Sequence, residues 1–141
     1  MSEINAALRW IDSKLRGSVT LCSYIGVATP RIYDTQVIQT TPAIALPYVI
    51  YQYQGGSDLM TNGTYRIWAN ALYLVRGVAV FPFTNLDAIA VAIDTALHGL
   101  GGTITAGVIY SCTRQQPFEL NETSDGVRYK HMGGIYRIYS K

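Results

Sequence analysis

The most informative pattern of hydrophobic and polar positions lies between Pro47 and Arg76. Two apolar and aromatic runs flank a segment rich in Gly, Ser, Asp and Asn, which predicts a β-hairpin with a long loop. The second run has one face without charge and another face that is charged only at its two ends. A half-buried strand should be polar on its second face. This strand instead carries apolar side chains there, namely Trp68, Leu72 and Leu74.

Apolar residues at helical spacing predict two helices. The first follows Ser2, a good N-cap residue, and ends at Gly17; the second follows the capping-box variant TNLD at Thr84 and ends at Gly99. Residues 18–30 are interpreted as irregular. Further strands are predicted at Arg31–Asp34, at about 108–120 and at 127–139. The predicted order α-β-β-β-α-β-β indicates one α+β domain spanning 1–141, with a mainly antiparallel sheet of about five strands and both helices on one face.

Composition favours a folded domain and excludes several classes of protein. The chain has 141 residues, of which 49% are hydrophobic and 14% charged, whereas disorder requires the opposite balance. A net charge of +2 with scattered basic residues does not predict a nucleic-acid or membrane surface. No apolar run approaches the roughly 18 residues of a membrane span, and the N-terminus does not have the pattern of a secretory signal.

The residues that commonly carry chemistry do not form a recognisable site, so no catalytic residue, metal site or cofactor is predicted. Cys22 and Cys112 stand far apart and are expected to be reduced and partly buried. His98 is interpreted as a capping residue in the last turn of the second helix, and His131 as a solvent-facing strand residue. The carboxylates occur singly, without spacing for paired acid and base roles.

The apolar second face of the hairpin strand requires cover that two helices cannot supply. Either this face stays exposed to water, or the loops at residues 17–30 and 35–46 fold over it, or another copy of the chain or a partner covers it. We favour association, and we expect a subunit contact through Trp68, Leu72 and Leu74.

The loop of the hairpin is the second candidate contact. Polar loops that contain glycine are often mobile until they bind. The expected mobile contact loop consists of Gly55, Gly56, Ser57, Asp58, Leu59, Met60, Thr61, Asn62, Gly63 and Thr64.

The order and spacing of several short motifs resemble the tail-completion, or tail-terminator, proteins of long-tailed bacteriophages. The resemblance spans about residues 4–139 and rests on a first helix that ends in LRGSV, followed by RIYD, ALPYVIYQ, YRIWANALYLV, LDAIAVAIDTALHG and VIYSCTRQQPFEL. The apolar strand and the segment RGVAVFPF are longer than is usual in that family.

The resemblance implies a structural virion protein without catalytic residues. Such proteins form a ring, usually of six copies, that caps the tail tube and joins it to the head-side connector or stopper protein. DNA would pass through the lumen without specific binding, and assembly would occur in the host cytoplasm. Two alternatives are another phage neck or head–tail joining protein and, from a different class, a small-ligand or sugar-binding module with a tyrosine-rich sheet face. An enzyme is the least favoured class.

Overall fold

The computed structural model of the protein describes residues 3–35, 46–60 and 66–141. In this part of the chain, two helices are followed by three strands, a third helix and three further strands. They are α1 (Glu3–Arg16), α2 (Val19–Ile25), β1 (Ile32–Asp34), β2 (Tyr48–Met60), β3 (Arg66–Val80), α3 (Leu86–Leu97), β4 (Gly102–Ile104), β5 (Gly107–Ser124) and β6 (Val127–Ser140).

The strands form one sheet in the order β1-β2-β3-β6-β5-β4. Every neighbouring pair is antiparallel except β1 and β2, which run parallel. The predicted α+β class with a mainly antiparallel sheet is therefore confirmed, and the sheet has one strand more than expected. The four long strands β2, β3, β6 and β5 dominate it, while β1 and β4 each add three residues at opposite edges.

The helices pack on one face of the sheet, as predicted, and the core lies between the two layers. Trp10, Ile11 and Leu15 of α1 follow helical spacing and are buried together with Ile89 and Ile93 of α3. The sheet contributes alternate residues of its central strands to the same core, among them Tyr73, Val75, Tyr136 and Ile138.

The helix α2 corrects the prediction that residues 18–30 are irregular. Ser18 is its N-cap, and the Ser18 hydroxyl oxygen accepts a hydrogen bond from the Leu21 amide at 3.2 Å. Leu21 and Ile25 are fully buried, so tertiary packing stabilises a seven-residue helix that β-branched residues disfavour.

Two other boundaries differ from the prediction because backbone conformation overrides the local pattern. The N-cap of α3 is Asn85 in the left-handed conformation without a side-chain cap, so the capping box expected at Thr84 does not form. The strand β5 extends to Ser124, and the turn that follows consists only of Asp125 and Gly126, both at positive φ. Two residues of this kind are typical of a type I′ hairpin turn.

The loop predicted at 55–64 is also shorter than expected. Gly55 to Met60 belong to β2 and pair with β3 as far as the Met60–Arg66 pair, so the prediction of a loop is wrong for these residues. Residues 61–64 of that prediction lie outside the described part of the chain. The physical reason is that β3 supplies a long partner strand, which outweighs the low strand propensity of Gly, Ser and Asp.

Candidate functional site

The candidate assembly surface is the face of the sheet opposite the helices, which we call the second face. It is formed on β3 by the residues that alternate with the core positions, including Trp68, Leu72, Leu74 and Arg76. The residues directly opposite on β6 share this face, because cross-strand partners in an antiparallel pair point the same way. All three residues predicted as a subunit contact therefore lie on the second face.

An aromatic cluster occupies one end of this face. The Trp68 ring lies 5.1 Å from the Tyr110 ring and 6.1 Å from the Tyr139 ring, measured between centroids. Trp68 is half-buried, while Tyr110 is 48% exposed. The Trp68 indole N–H is buried, and no described residue accepts a hydrogen bond from it. The cluster thus presents apolar surface, and its central residue Trp68 has one hydrogen-bond donor, the indole N–H, that no described residue satisfies.

The two leucines differ in how much of their surface is available. Leu74 is only 5% exposed, although it does not belong to the core beneath the helices. Its backbone partners are Gln52 and Ile135, so neighbouring strands of the same sheet already surround it. Leu72 is half-buried between Gly55 and Arg137. Of the three predicted contact residues, Trp68 and Leu72 retain surface for a partner and Leu74 has little.

A polar network that the sequence did not reveal occupies the other end of the second face. Arg76 donates through Nε to His131 Nδ1 at 3.0 Å and through a terminal nitrogen to Gln52 Oε1 at 2.9 Å. His131 Nε2 lies 2.8 Å from Glu122 Oε1. Since Nδ1 accepts from Arg76, the proton of the neutral ring is on Nε2, which donates to Glu122. His131 is 7% exposed, so the prediction of a solvent-facing residue is wrong.

Burial governs the ionisation of this network. It lowers the pKa of Arg76 from its usual value, although Tyr48 and Glu122 act in the opposite direction. It also raises the pKa of Tyr48, and Glu122 adds to that increase. The network is a satisfied set of hydrogen bonds that joins β2, β3, β5 and β6.

On the helix side, a groove of about 420 Å³ lies between α3 and the distal half of the β5–β6 hairpin. Asp94 is its polar centre, because it accepts a hydrogen bond from the Tyr136 hydroxyl at 3.1 Å and lies 3.7 Å from Arg114 Nε. Burial, followed by the charge of Asp94, raises the pKa of Tyr136. Apolar side chains, including Val91, Pro117 and Met132, line much of the remainder.

The predicted chemistry-bearing residues have structural roles. Both thiols are free and buried, and burial together with Asp94 raises the pKa of Cys112 to about 12. His98 is the C-cap residue of α3, as predicted, and its Nδ1 accepts a hydrogen bond from the Arg114 amide at 3.0 Å. Within 3–35, 46–60 and 66–141, no group of three or more His, Cys, Asp or Glu is placed to hold a metal ion.

The described helices also bear on membrane association. The longest, α1, has 14 residues. None of the helices in the described part of the chain is both long enough and apolar enough to cross a membrane.

The fold has a counterpart among solved structures. No protein-family model and no curated protein matches the sequence. A chain of the "virion of native gene transfer agent (GTA) particle" matches with a TM-score of 0.64 and 16% sequence identity, over 98% of each chain. At this level of identity the likeness establishes a shared fold across essentially the whole of both chains.

Proposed function

We propose that the protein is a structural component of a virion, and specifically the ring that ends a tail tube and joins it to the head-side connector. The observation that carries the proposal is the shared fold over 98% of this chain and of a chain from a gene transfer agent virion. Because the match extends over 98% of each chain, it concerns the complete described fold and supports a role as a subunit within a particle.

The second face supports an assembly role over an enzymatic one. Its aromatic cluster combines half-buried Trp68 with exposed Tyr110, and tryptophan and tyrosine are enriched where proteins bind one another. Its polar network is internally satisfied and has the character of structural support. A closed ring requires a head-to-tail contact between two different surfaces of the chain, and six copies are the number that the sequence resemblance implies.

The net charge of +2 fits the proposed passage of DNA through the ring. Tight binding of duplex DNA depends on clustered lysine and arginine that neutralise several phosphates and release counterions. Two arginines of the second face are instead engaged with protein groups, Arg76 with His131 and Arg137 with Asn70 at 2.6 Å. We therefore propose a lumen that DNA crosses without specific binding.

A second candidate function is another neck or head–tail joining role in the same kind of particle. The likeness of fold supports the joining role and the tail-terminator role equally, because it relates this chain to a virion without indicating a position along the tail. The two roles differ in the structure that the protein binds. A tail-terminator ring binds the end of a purified tail tube, whereas a joining protein of the head side binds the connector and leaves tubes uncapped.

The first test is to image the purified protein and to measure its mass by size exclusion with light scattering, alone and with tail tubes. We expect rings, and double substitution of Trp68→Ala with Leu72→Ala should weaken their assembly at least about tenfold, since a contact that includes a tryptophan anchor contributes about 2 kcal/mol or more. Leu74 is left unchanged because it is already covered within the chain.

The matched control is Val19→Ala with Val27→Ala, which shortens two apolar side chains that are 85% and 80% exposed, one in α2 and one just after it. This variant should assemble like the wild type. Urea unfolding of both variants separates assembly from folding. A stably folded Trp68→Ala, Leu72→Ala protein that forms rings at wild-type concentrations would contradict the proposed contact, and a protein that neither forms rings nor binds tubes would contradict the proposed function.

A further inference from the structure

We propose that neighbouring copies in the ring also meet through their helical layers, with the outer face of α1 of one copy docking into the groove between α3 and the β5–β6 hairpin of the next. This inference rests on the proposed ring and specifies a contact within it, in addition to the one through Trp68 and Leu72. Three properties of the two surfaces carry it, which are their opposite charge, their position on opposite sides of the molecule and their equal level along the strands.

The groove is an open cavity of about 420 Å³ on the helix side of the sheet. One wall is α3, and the other is formed by β5 and β6 beyond Arg114. Val91, Pro117 and Met132 give it an apolar lining, and Val91 is 62% exposed. Exposed apolar surface that is rimmed by polar groups is typical of a protein contact. The groove therefore has both the room and the lining for a side chain of a neighbouring copy.

The polar rim of the groove determines the charge of its partner. Three carboxylates line it, those of Asp87, Asp94 and Glu119, together with one guanidinium, that of Arg114. Arg114 lies 3.7 Å from Asp94, and Glu119 forms an ion pair with Lys130 at 2.9 Å. Asp87, in the first turn of α3, is exposed, and no described residue forms a hydrogen bond or an ion pair with its carboxylate. The rim thus favours a cation, which Asp87 is available to receive.

The outer face of α1 carries the complementary charge. Residues 9–16 of this helix hold three cations, Arg9, Lys14 and Arg16, against the single carboxylate of Asp12. That carboxylate already accepts a hydrogen bond from Arg16 at 2.9 Å. Arg9 is exposed, and no described residue forms a hydrogen bond or an ion pair with its guanidinium. The apolar stem of an arginine can pack against a side chain such as Val91 while its charged head reaches a carboxylate.

The two surfaces lie in the same layer and on opposite sides of the molecule. Arg9 lines a surface hollow together with Asp34 of β1 and Tyr51 of β2, whereas the groove lies against β5. In the strand order, β1 and β2 are at one edge of the sheet, and β5 and β4 are at the other. A closed ring joins one side of each copy to a different side of its neighbour. Such a ring therefore places α1 of one copy beside the groove of the next.

The strand register places the two surfaces at the same level. Tyr51 pairs with Val75, which pairs with Gly134 on the next strand. Gly134 in turn pairs with Pro117 of β5. Tyr51 lies beside Arg9, and Pro117 lines the groove, so the two surfaces are level across four strands. In a ring whose axis lies broadly along the strands, rotation preserves this level, and the surfaces meet without any displacement of one copy against the next.

An exchange of charge between two variants tests the contact. Arg9→Glu sets a carboxylate against Asp87, and Asp87→Lys sets an ammonium group against Arg9, so each variant repels further copies of itself. Ring assembly of each variant alone should weaken at least about tenfold, because like charges across a contact are strongly unfavourable. In an equal mixture the two variants alternate around a ring with an even number of copies, and every contact then joins opposite charges. The mixture should therefore assemble at concentrations close to those of the wild type.

Val19→Lys is the matched control for Asp87→Lys. Val19 is 85% exposed on α2 and does not line the groove, so this variant adds a cation to the same layer outside the proposed contact. A mixture of Arg9→Glu with Val19→Lys should assemble as weakly as Arg9→Glu alone. Because residues 9 and 87 are both exposed, the charge variants should fold, which urea unfolding verifies.

A second measurement uses neutral substitutions and the salt dependence of assembly. Screening by salt weakens exposed ion pairs, so wild-type assembly should lose more with increasing NaCl than that of the double variant Arg9→Gln with Asp87→Asn. Equal salt dependence of the two proteins, a mixture of folded charge variants that stays unassembled, or restoration by Val19→Lys would each overturn this contact while leaving the ring intact. A wild-type protein that neither forms rings nor binds tail tubes would instead contradict the proposed function.

Discussion

The polar network around Arg76 shows how single residues cover part of the second face, for which the sequence pattern predicted no cover within the sheet. His131 and Glu122 come together because the two-residue turn at Asp125 and Gly126 fixes the register of β5 against β6. Counting residues outward from that turn pairs Glu122 with Tyr129 and Leu120 with His131, so the side chains of Glu122 and His131 lie on the same face of the sheet, two positions apart. The Asp-Gly pair was therefore an available signal for this register, and ending the predicted strand at about residue 120 concealed it. The bonds from Arg76 to Gln52 and His131 depend on long-range pairing, which no local pattern reveals.

At the same scale, Cys112 makes the stability of the protein depend on pH. Its thiol has a pKa raised from 9.0 to about 12, first by burial and then by Asp94. Below pH 9 the thiol is protonated in both the folded and the unfolded chain, and its contribution to stability is fully present. Between pH 9 and 12 only the unfolded chain ionises, so the free energy of unfolding falls as the pH rises.

We expect the wild type to lose about 2 kcal/mol more than Cys112→Ala when the pH is raised from 8 to 10.5, because about 1.5 pH units above the unfolded pKa correspond to that free energy. Urea unfolding at the two pH values measures both losses. The raised pKa of Tyr51 contributes equally to both proteins and cancels in the comparison, and that of Tyr136 nearly cancels because Cys112 is the smallest of its causes. An identical loss in the two proteins would show that Cys112 is not responsible.

At the scale of elements, the long, strongly periodic segments were predictable and the short ones were not. The helices α1 and α3 and the strand β3 follow from apolar spacing, because each buries one continuous face. The helix α2 and the strand β4 have seven and three residues, and tertiary contacts determine them more than local preference does. For the candidate site, the alternation along β3 correctly placed Trp68, Leu72 and Leu74 on one face. It could not show that Leu74 is surrounded by its own sheet.

The pairing of β3 with β6 depends on a close backbone approach at Gly133. A Cβ atom at this position would collide with the carbonyl oxygen of Val75 and the Cα of Arg76. Because those atoms belong to a paired backbone, they cannot move aside without breaking the ladder.

Gly133→Ala should therefore lower the free energy of unfolding by about 2–3 kcal/mol, the range found for overpacking. Gly134→Ala is the matched control on the next position of the strand, where the nearest atoms belong to the flexible Arg114 side chain, and it should cost clearly less. Urea unfolding of the two variants gives the comparison. Equal losses for the two substitutions would mean that strand propensity, and not the contact with β3, determines the effect.

At the scale of the whole molecule, the second face requires a different account from the one that its apolar pattern first indicated. Three side chains that are apolar on this face, Ile50, Leu74 and Val78, are each at most 5% exposed within one copy of the chain. Within the described residues, the need for outside cover is therefore concentrated at the Trp68 cluster and along β5 beyond Arg114, where no described strand lies on the outer side. Propensity and periodicity describe faces of elements, whereas free edges appear only once the strand order is known. This is why the sequence pointed to self-association through a face and did not reveal the edges.

Shortening the β5–β6 hairpin separates the fold of the monomer from its assembly. Deletion of Thr123, Ser124, Val127 and Arg128 removes two complete cross-strand pairs and keeps the Asp125–Gly126 turn, so the remaining register is unchanged. All four residues are exposed, and outside the hairpin the deletion removes the stacking of Arg128 over the Phe81 ring at 4.0 Å and the hydrogen bond from the Phe81 amide to the Arg128 carbonyl at 2.9 Å. The free energy of unfolding should fall by only about 2 kcal/mol. Assembly measured by light scattering should weaken at least about tenfold, because the deletion takes away two of the ten residues from Gln115 to Ser124, along whose outer side no described strand lies and where another copy could pair. A matched deletion is not needed, since the monomer's own unfolding curve is the control. A shortened protein that unfolds like the wild type and assembles at the same concentration would exclude the distal hairpin from the subunit contact.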